Sequence, residues 1–164
     1  MTAYIVNHIL GGGTFSSRLY REVREKRGLA YSVSQSLAWF EKGAVFLGGT
    51  ATRADRAAET LALIKQEIQR MAKDGPTQQE LDEAKSYLKG SQMLALDTST
   101  KLASQLLQYQ LDNLGIDYLE KRNAMFDAVT LANAKRVAKR LFGDGLVVTI
   151  VGPPAAPASQ RPAK

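Results

Sequence analysis

At Gly28 the hydrophobic period of this sequence changes from near four to two, inside residues 14–40, TFSSRLYREVREKRGLAYSVSQSLAWF. Before that point Leu19 and Val23 stand four apart, the spacing of one helical face, so residues 16–26 are expected to be a helix. Five cations sit in or next to it: Arg18, Arg21, Arg24, Lys26 and Arg27. Gly28 is suited to close the helix, because glycine accepts the left-handed conformation found at helix ends. Beyond it, Leu29, Tyr31, Val33, Leu37 and Trp39 are expected on one face of a strand. Ala30, Ser32, Ser34, Ser36 and Ala38 would lie on the other, a flat surface that another backbone or helix can approach closely. Arg24 and Tyr31 bracket the turn, so both can point at a common space although seven residues separate them.

The remaining elements follow from the same patterns. Residues 3–10, AYIVNHIL, read as the end of a helix that stops at Gly11-Gly12-Gly13. Glu41-Lys42-Gly43 reads as a hairpin turn, and residues 44–50 as a second, antiparallel strand. Gly48 and Gly49 within that strand suggest a bulge or a close backbone contact. Five helices are expected next. The first covers residues 54–73, with Ala57, Leu61, Ile64, Ile68 and Met71 in one stripe. Thr77 and Glu80 form a T-x-x-E capping box for the second, which runs to about Leu96. The others cover 101–113, 117–129 and, capped by Thr130, a stretch through Phe142. Residues 146–151, LVVTIV, form a continuous apolar run and are expected to be a buried central strand. The order implies an α+β fold, an antiparallel sheet with helices on one side. Residues 1–152 read as a single domain, and the Pro/Ala-rich residues 153–164 as a disordered tail. A chain that opens on the end of a helix, with so thin a sheet, is expected to be part of a longer one whose earlier strands are missing.

Composition narrows the possible functions. With 164 residues, 45% apolar and 23% charged, the chain has the make-up of a globular domain with its own core. No apolar run reaches the ~20 residues of a membrane span, and no signal peptide is visible. There are no cysteines, which removes disulfides and thiolate chemistry. The net charge of +6 is spread over several helices without interleaved aromatics, so nucleic acid is not the expected partner. Cysteine usage and the missing N-terminus lean towards the periplasm over the cytoplasm.

Chemistry is equally constrained. His8, the one histidine, reads as a packing or surface residue. With one histidine the chain forms neither an H-x-x-E-H motif nor a credible catalytic triad, so no metal site and no catalytic residue is expected in it. Gly11, Gly12 and Gly13 before Thr14 lack the G-K-[ST] ending of a phosphate-binding loop. They read as a helix stop and flexible loop whose backbone can touch an extended ligand. By base rates the cationic helix is a solvated face with Glu22 and Glu25 as local partners.

The stretch LGGGTFSSRLYREVREKRGLAYSV, residues 10–33, closely resembles the C-terminal, zinc-free domain of the pitrilysin/insulinase-type metallopeptidases. That family includes the mitochondrial processing peptidase and the core proteins of the cytochrome bc1 complex. The pattern S-R-L-x-x-x-x-R-x-x-x-G-L-A-Y carries the resemblance, which extends to the LVVTIVG segment. It implies a non-catalytic, substrate-binding domain facing a homologous domain or subunit that holds zinc on H-x-x-E-H. The family's R-x-x-x-x-x-x-Y arrangement falls on Arg24 and Tyr31, which by resemblance bind peptide near the scissile bond. Choosing Arg27 instead leaves only four residues to Tyr31. Gly11–Gly13 resemble, in shorter form, the glycine-rich substrate loop of the processing peptidase. The expected partners are thus the zinc-bearing domain and a peptide, with a homodimer through an open sheet edge as a further possibility. The alternative is a structural or assembly module of the same fold without peptidase activity.

Overall fold

The computed structural model describes residues 1–153, except for the side chains of residues 93 and 95. The chain is α+β. Helix α1 spans Thr2–Asn7 and continues without a break into a π-helical turn, His8–Gly12. A second π-helical turn, Tyr20–Glu25, leads to strand β1, Ala30–Phe40, and strand β2, Gly43–Thr52. After a 3₁₀ turn at Ala54–Arg56 come α2 (Ala57–Asp74), α3 (Gln78–Ala95), α4 (Ser99–Leu111), α5 (Tyr118–Asp127) and α6 (Leu131–Phe142).

The core gathers around α1 and its π turn, which pack against β1, α2, α3 and α6. Ile5, Val6, Ile9 and Leu10 are buried there, with Val23, Val33, Met71, Leu81, Phe126 and Ala138 around them. The helix does not stop at the glycines as the sequence suggests. It runs through Gly12 because Gly11 and Gly12 bring the backbone against β1 and Asn7. A Cβ on Gly11 would lie 2.7 Å from Gln35 Cβ and 2.9 Å from Leu19 Cδ1, and one on Gly12 would lie 2.5 Å from Asn7 Nδ2. Gln35 Nε2 donates to Asn7 Oδ1 at 3.2 Å, closing this contact.

Local signals behave as expected. Thr77 Oγ1 accepts from Glu80 N at 3.1 Å while Glu80 Oε2 accepts from Thr77 N at 2.8 Å, a reciprocal capping box. Thr130 Oγ1 accepts from Asn133 N at 3.2 Å and caps α6. Gly28 adopts φ 56°. Its N–H donates to Arg24 O and that of Leu29 to Val23 O, both at 2.9 Å, so the second π turn ends on a left-handed glycine.

Two expectations about strands are overturned. The bulge lies in β1; Gly48 instead has the backbone contact, a Cβ there lying 3.4 Å from Ser34 O, while Gly49 has neither. Ala30 pairs with Thr52 and Val33 with Thr50, which leaves one extra residue between Ala30 and Val33 on the β1 side. The extra residue changes the alternation. Ala30, Val33 and Gln35 are buried, while Tyr31 turns outward instead of sharing the face of Val33. Ser32, Ser34 and Ser36 are exposed. Residues 146–151, in turn, are neither strand nor buried: Val147 is 88% and Val151 93% exposed. Apolarity suits a strand, but a strand exists only as one rung of a ladder. Among the described residues β1 and β2 pair solely with each other, so this segment has no ladder to join.

Candidate functional site

The cationic stretch before Gly28 divides into three groups, each set by a different neighbour. Lys26 and Arg27 are held by Glu22: Lys26 Nζ lies 2.6 Å from Oε1, and Arg27 Nη1 2.5 Å from Oε2. These hydrogen bonds hold the Glu22 carboxyl below its ordinary range, against the raising effect of burial. Here the solvated-face reading holds. Arg18 departs from it. It is 3% exposed, and its guanidinium forms two parallel hydrogen bonds of 2.7 Å to Glu80, from Nε to Oε1 and from Nη2 to Oε2. Nη2 also donates to Gly75 O at 2.9 Å. Arg21 Nη2 approaches Glu80 Oε1 at 3.6 Å from the solvent side.

Arg24 forms the third group, together with two tyrosines. Its guanidinium carbon stands 4.5 Å from the centroid of the Tyr31 ring and 4.9 Å from that of Tyr20. Nη1 donates to the Tyr20 hydroxyl. The cation thus lies against two aromatic rings, a favourable arrangement for the flat, weakly hydrated guanidinium. Tyr20 is buried, whereas Tyr31 is 81% exposed and its hydroxyl has no hydrogen-bond partner among the described residues. Phe15 extends the group, its exposed ring standing edge-on to Tyr20 at 5.2 Å.

The chain builds this cluster by two local departures from regular geometry. Arg24 and Tyr20 are four apart, which places them on one helical face. The turn that carries them is π-helical, with Lys26 N bonded to Arg21 O at 2.9 Å. The β1 bulge then turns Tyr31 outward over Arg24. Both devices recur at functional sites. The structure therefore brings Arg24 and Tyr31 into contact, and it is Arg24, not Arg27, that faces Tyr31. Tyr20 escaped the sequence reading. The signal that could have found it is an aromatic four residues before the arginine.

Gly11 and Gly12 end the first π turn and Gly13 follows it, with Gly11 and Gly13 buried and Gly12 exposed. A Cβ on Gly13 would lie 2.8 Å from the His8 ring. His8 itself stacks on Tyr87, with centroids 5.0 Å apart, and burial pushes its imidazole below its ordinary pKa. Among the described residues no three His, Cys, Asp or Glu side chains are grouped to hold a metal ion. With one histidine and no cysteine the donor set does not fit zinc. No helix among them is long and apolar enough to cross a membrane.

Comparison with known proteins agrees with this architecture. The family profile described as the peptidase M16 inactive domain matches residues 1–88. An uncharacterized zinc protease of Streptomyces coelicolor is 32% identical over 152 residues, covering 91% of this chain and 32% of its own length. A non-peptidase homolog of Helicobacter pylori is 37% identical over 106 residues, 64% of this chain and 24% of that protein. The crystal structure of the peptidase M16 inactive domain from Pseudomonas fluorescens superposes with a TM-score of 0.76 at 34% identity, covering 85% of this chain and 33% of that one. The chain thus spans about a quarter to a third of the length of these longer relatives. On the profile match and the identity to these relatives, the chain belongs to the peptidase M16 inactive domain family.

Proposed function

We propose that Arg24 and Tyr31 bind an extended peptide beside the zinc site of a facing domain or subunit. The observation that carries this reading is the contact between the Arg24 guanidinium and the outward-turned Tyr31 ring at an exposed position. Of the five N–H donors of Arg24, one goes to Tyr20. The others are free to fix a peptide carbonyl, and the unpartnered Tyr31 hydroxyl can donate to an oxygen that gains charge. Zinc and its ligands belong to the partner in this reading. The relatives named zinc proteases support it.

The test is hydrolysis of a flexible peptide by this chain combined with its zinc-bearing partner. Arg24→Ala and Tyr31→Phe should each cost ~10²–10³ in kcat/KM, the usual loss for a removed transition-state donor. The chain alone should be inactive. A second reading, an assembly module without peptidase activity, draws on the non-peptidase homolog of Helicobacter pylori. It takes over if the complex assembles and both variants cleave at the wild-type rate.

A further inference from the structure

A cavity of about 280 Å³ opens between the first π turn and α3, lined by His8, Ile9, Ser16, Glu83, Ala84 and Tyr87. Its chemistry is uneven. Glu80 also reaches it, but both Glu80 oxygens are engaged by Arg18. Glu83 is different: it accepts from Gln79 Nε2 at 2.8 Å and pairs with no cation among the described residues. One carboxylate is therefore left for a ligand.

The walls suit a long side chain with a charged tip. Ile9 and Ala84 offer apolar surface to a methylene stem. Tyr87 offers an aromatic ring, stacked on His8, to a cation. Burial favours the neutral form of His8, so no positive charge in the wall opposes one. The cavity rim and the Arg24 cluster are linked along the chain. Ser16 on its rim follows Phe15, whose ring meets Tyr20, which in turn holds Arg24.

We propose that this cavity receives a lysine or arginine side chain of the bound peptide, with Glu83 pairing its charge, the Tyr87 ring facing that charge, and Ile9 and Ala84 lying along its stem. The proposal rests on the reading that this face binds extended peptides, and it adds which side chain they carry.

The test uses the 164-residue chain and two flexible Gly/Ser/Ala peptides that differ at one position, lysine in one and norleucine in the other. Norleucine keeps most of the stem and removes the charge. Wild type should bind the lysine peptide about tenfold more tightly, the scale of one charge-assisted contact at an open site. Glu83→Gln should bring the two affinities together. Its side chain is exposed and held by Gln79 alone, so folding should survive. Tyr87→Leu should reduce the preference severalfold. Arg24→Ala should weaken both peptides alike and leave their ratio unchanged. Equal binding of the two peptides by wild type, or an undiminished preference in Glu83→Gln, overturns the cavity proposal while the peptide-binding reading stands. Binding of neither peptide overturns both.

Discussion

Arg18 and Glu80, 62 residues apart in the chain, meet through two parallel hydrogen bonds of 2.7 Å. The pair ties the segment that carries Arg24 to the first turn of α3, because the same Glu80 completes the capping box with Thr77. Through Nη2 and Gly75 O it also satisfies a carbonyl at the end of α2. Removing either partner strands the other charge, which typically costs about 3–5 kcal/mol. Glu80→Gln and Arg18→Met are each expected to destabilise the chain by about that amount, read from urea midpoints. Arg18→Met combined with Glu80→Leu should cost less than the sum, since no buried charge is then left unpaired.

The same pair sets an acid limit on stability. Burial alone would raise the Glu80 carboxyl, but hydrogen bonds from Arg18 and the Thr77 N–H outweigh it and hold its pKa at about 2, against an ordinary 4.5. The folded-state value is depressed, so the contribution is complete above the unfolded pKa and is lost as pH falls from ~4.5 towards about 2. Glu22, also depressed, acts in the same direction. His8 adds a separate, earlier decline. Its folded pKa is lowered, so below its ordinary value the unfolded chain takes up the proton first. Denaturant titrations from about pH 7 to about pH 2.5 should show both declines. Glu80→Gln should flatten the acid one and leave the neutral one in place.

These contacts mark the limit of what the sequence could reveal. The capping box of Thr77 and Glu80, the Thr130 cap and the Gly28 helix end are short-range, and each could be read from neighbouring residues. The second role of Glu80 was not legible, because Arg18 finds it only through the tertiary fold. The outward turn of Tyr31 depends on one extra residue in β1, which the apolar alternation of Leu29, Tyr31 and Val33 does not record. Residues 146–151 have strand composition, but pairing is a property of two segments, and composition describes only one. Arg24 and Tyr31 were legible as a pair because a turn closed by Gly28 brings its two flanks together. Tyr20 was not, because its role needs the helix face to be known first.

Gly11 holds the first π turn close against β1, and this gives a third prediction. A methyl group there would lie 2.7 Å from Gln35 Cβ, on β1. Gly11→Ala should push β1 away from the first π turn and cost about 1–3 kcal/mol, the usual range for overpacking. Gly43→Ala is the control, since nothing lies within 4 Å of a Cβ there. Thermal unfolding of the two variants should separate them, with Gly43→Ala within about 0.5 kcal/mol of wild type.

Tyr20→Phe tests whether the pair of rings against Arg24 serves binding rather than folding. The substitution keeps the aromatic ring against the guanidinium and removes only the hydroxyl that accepts from Nη1. A net loss of about 1 kcal/mol in stability is expected, typical of one hydrogen bond. The larger effect should fall on peptide hydrolysis with the zinc-bearing partner, because an arginine free to swing no longer presents its donors in one direction. We expect kcat/KM to fall about tenfold, the loss of one well-placed contact. Tyr20 would act on substrate only through Arg24, so Tyr20→Phe should add nothing in an Arg24→Ala background. Additive losses in the double variant would mean that Tyr20 contributes to the fold independently of Arg24.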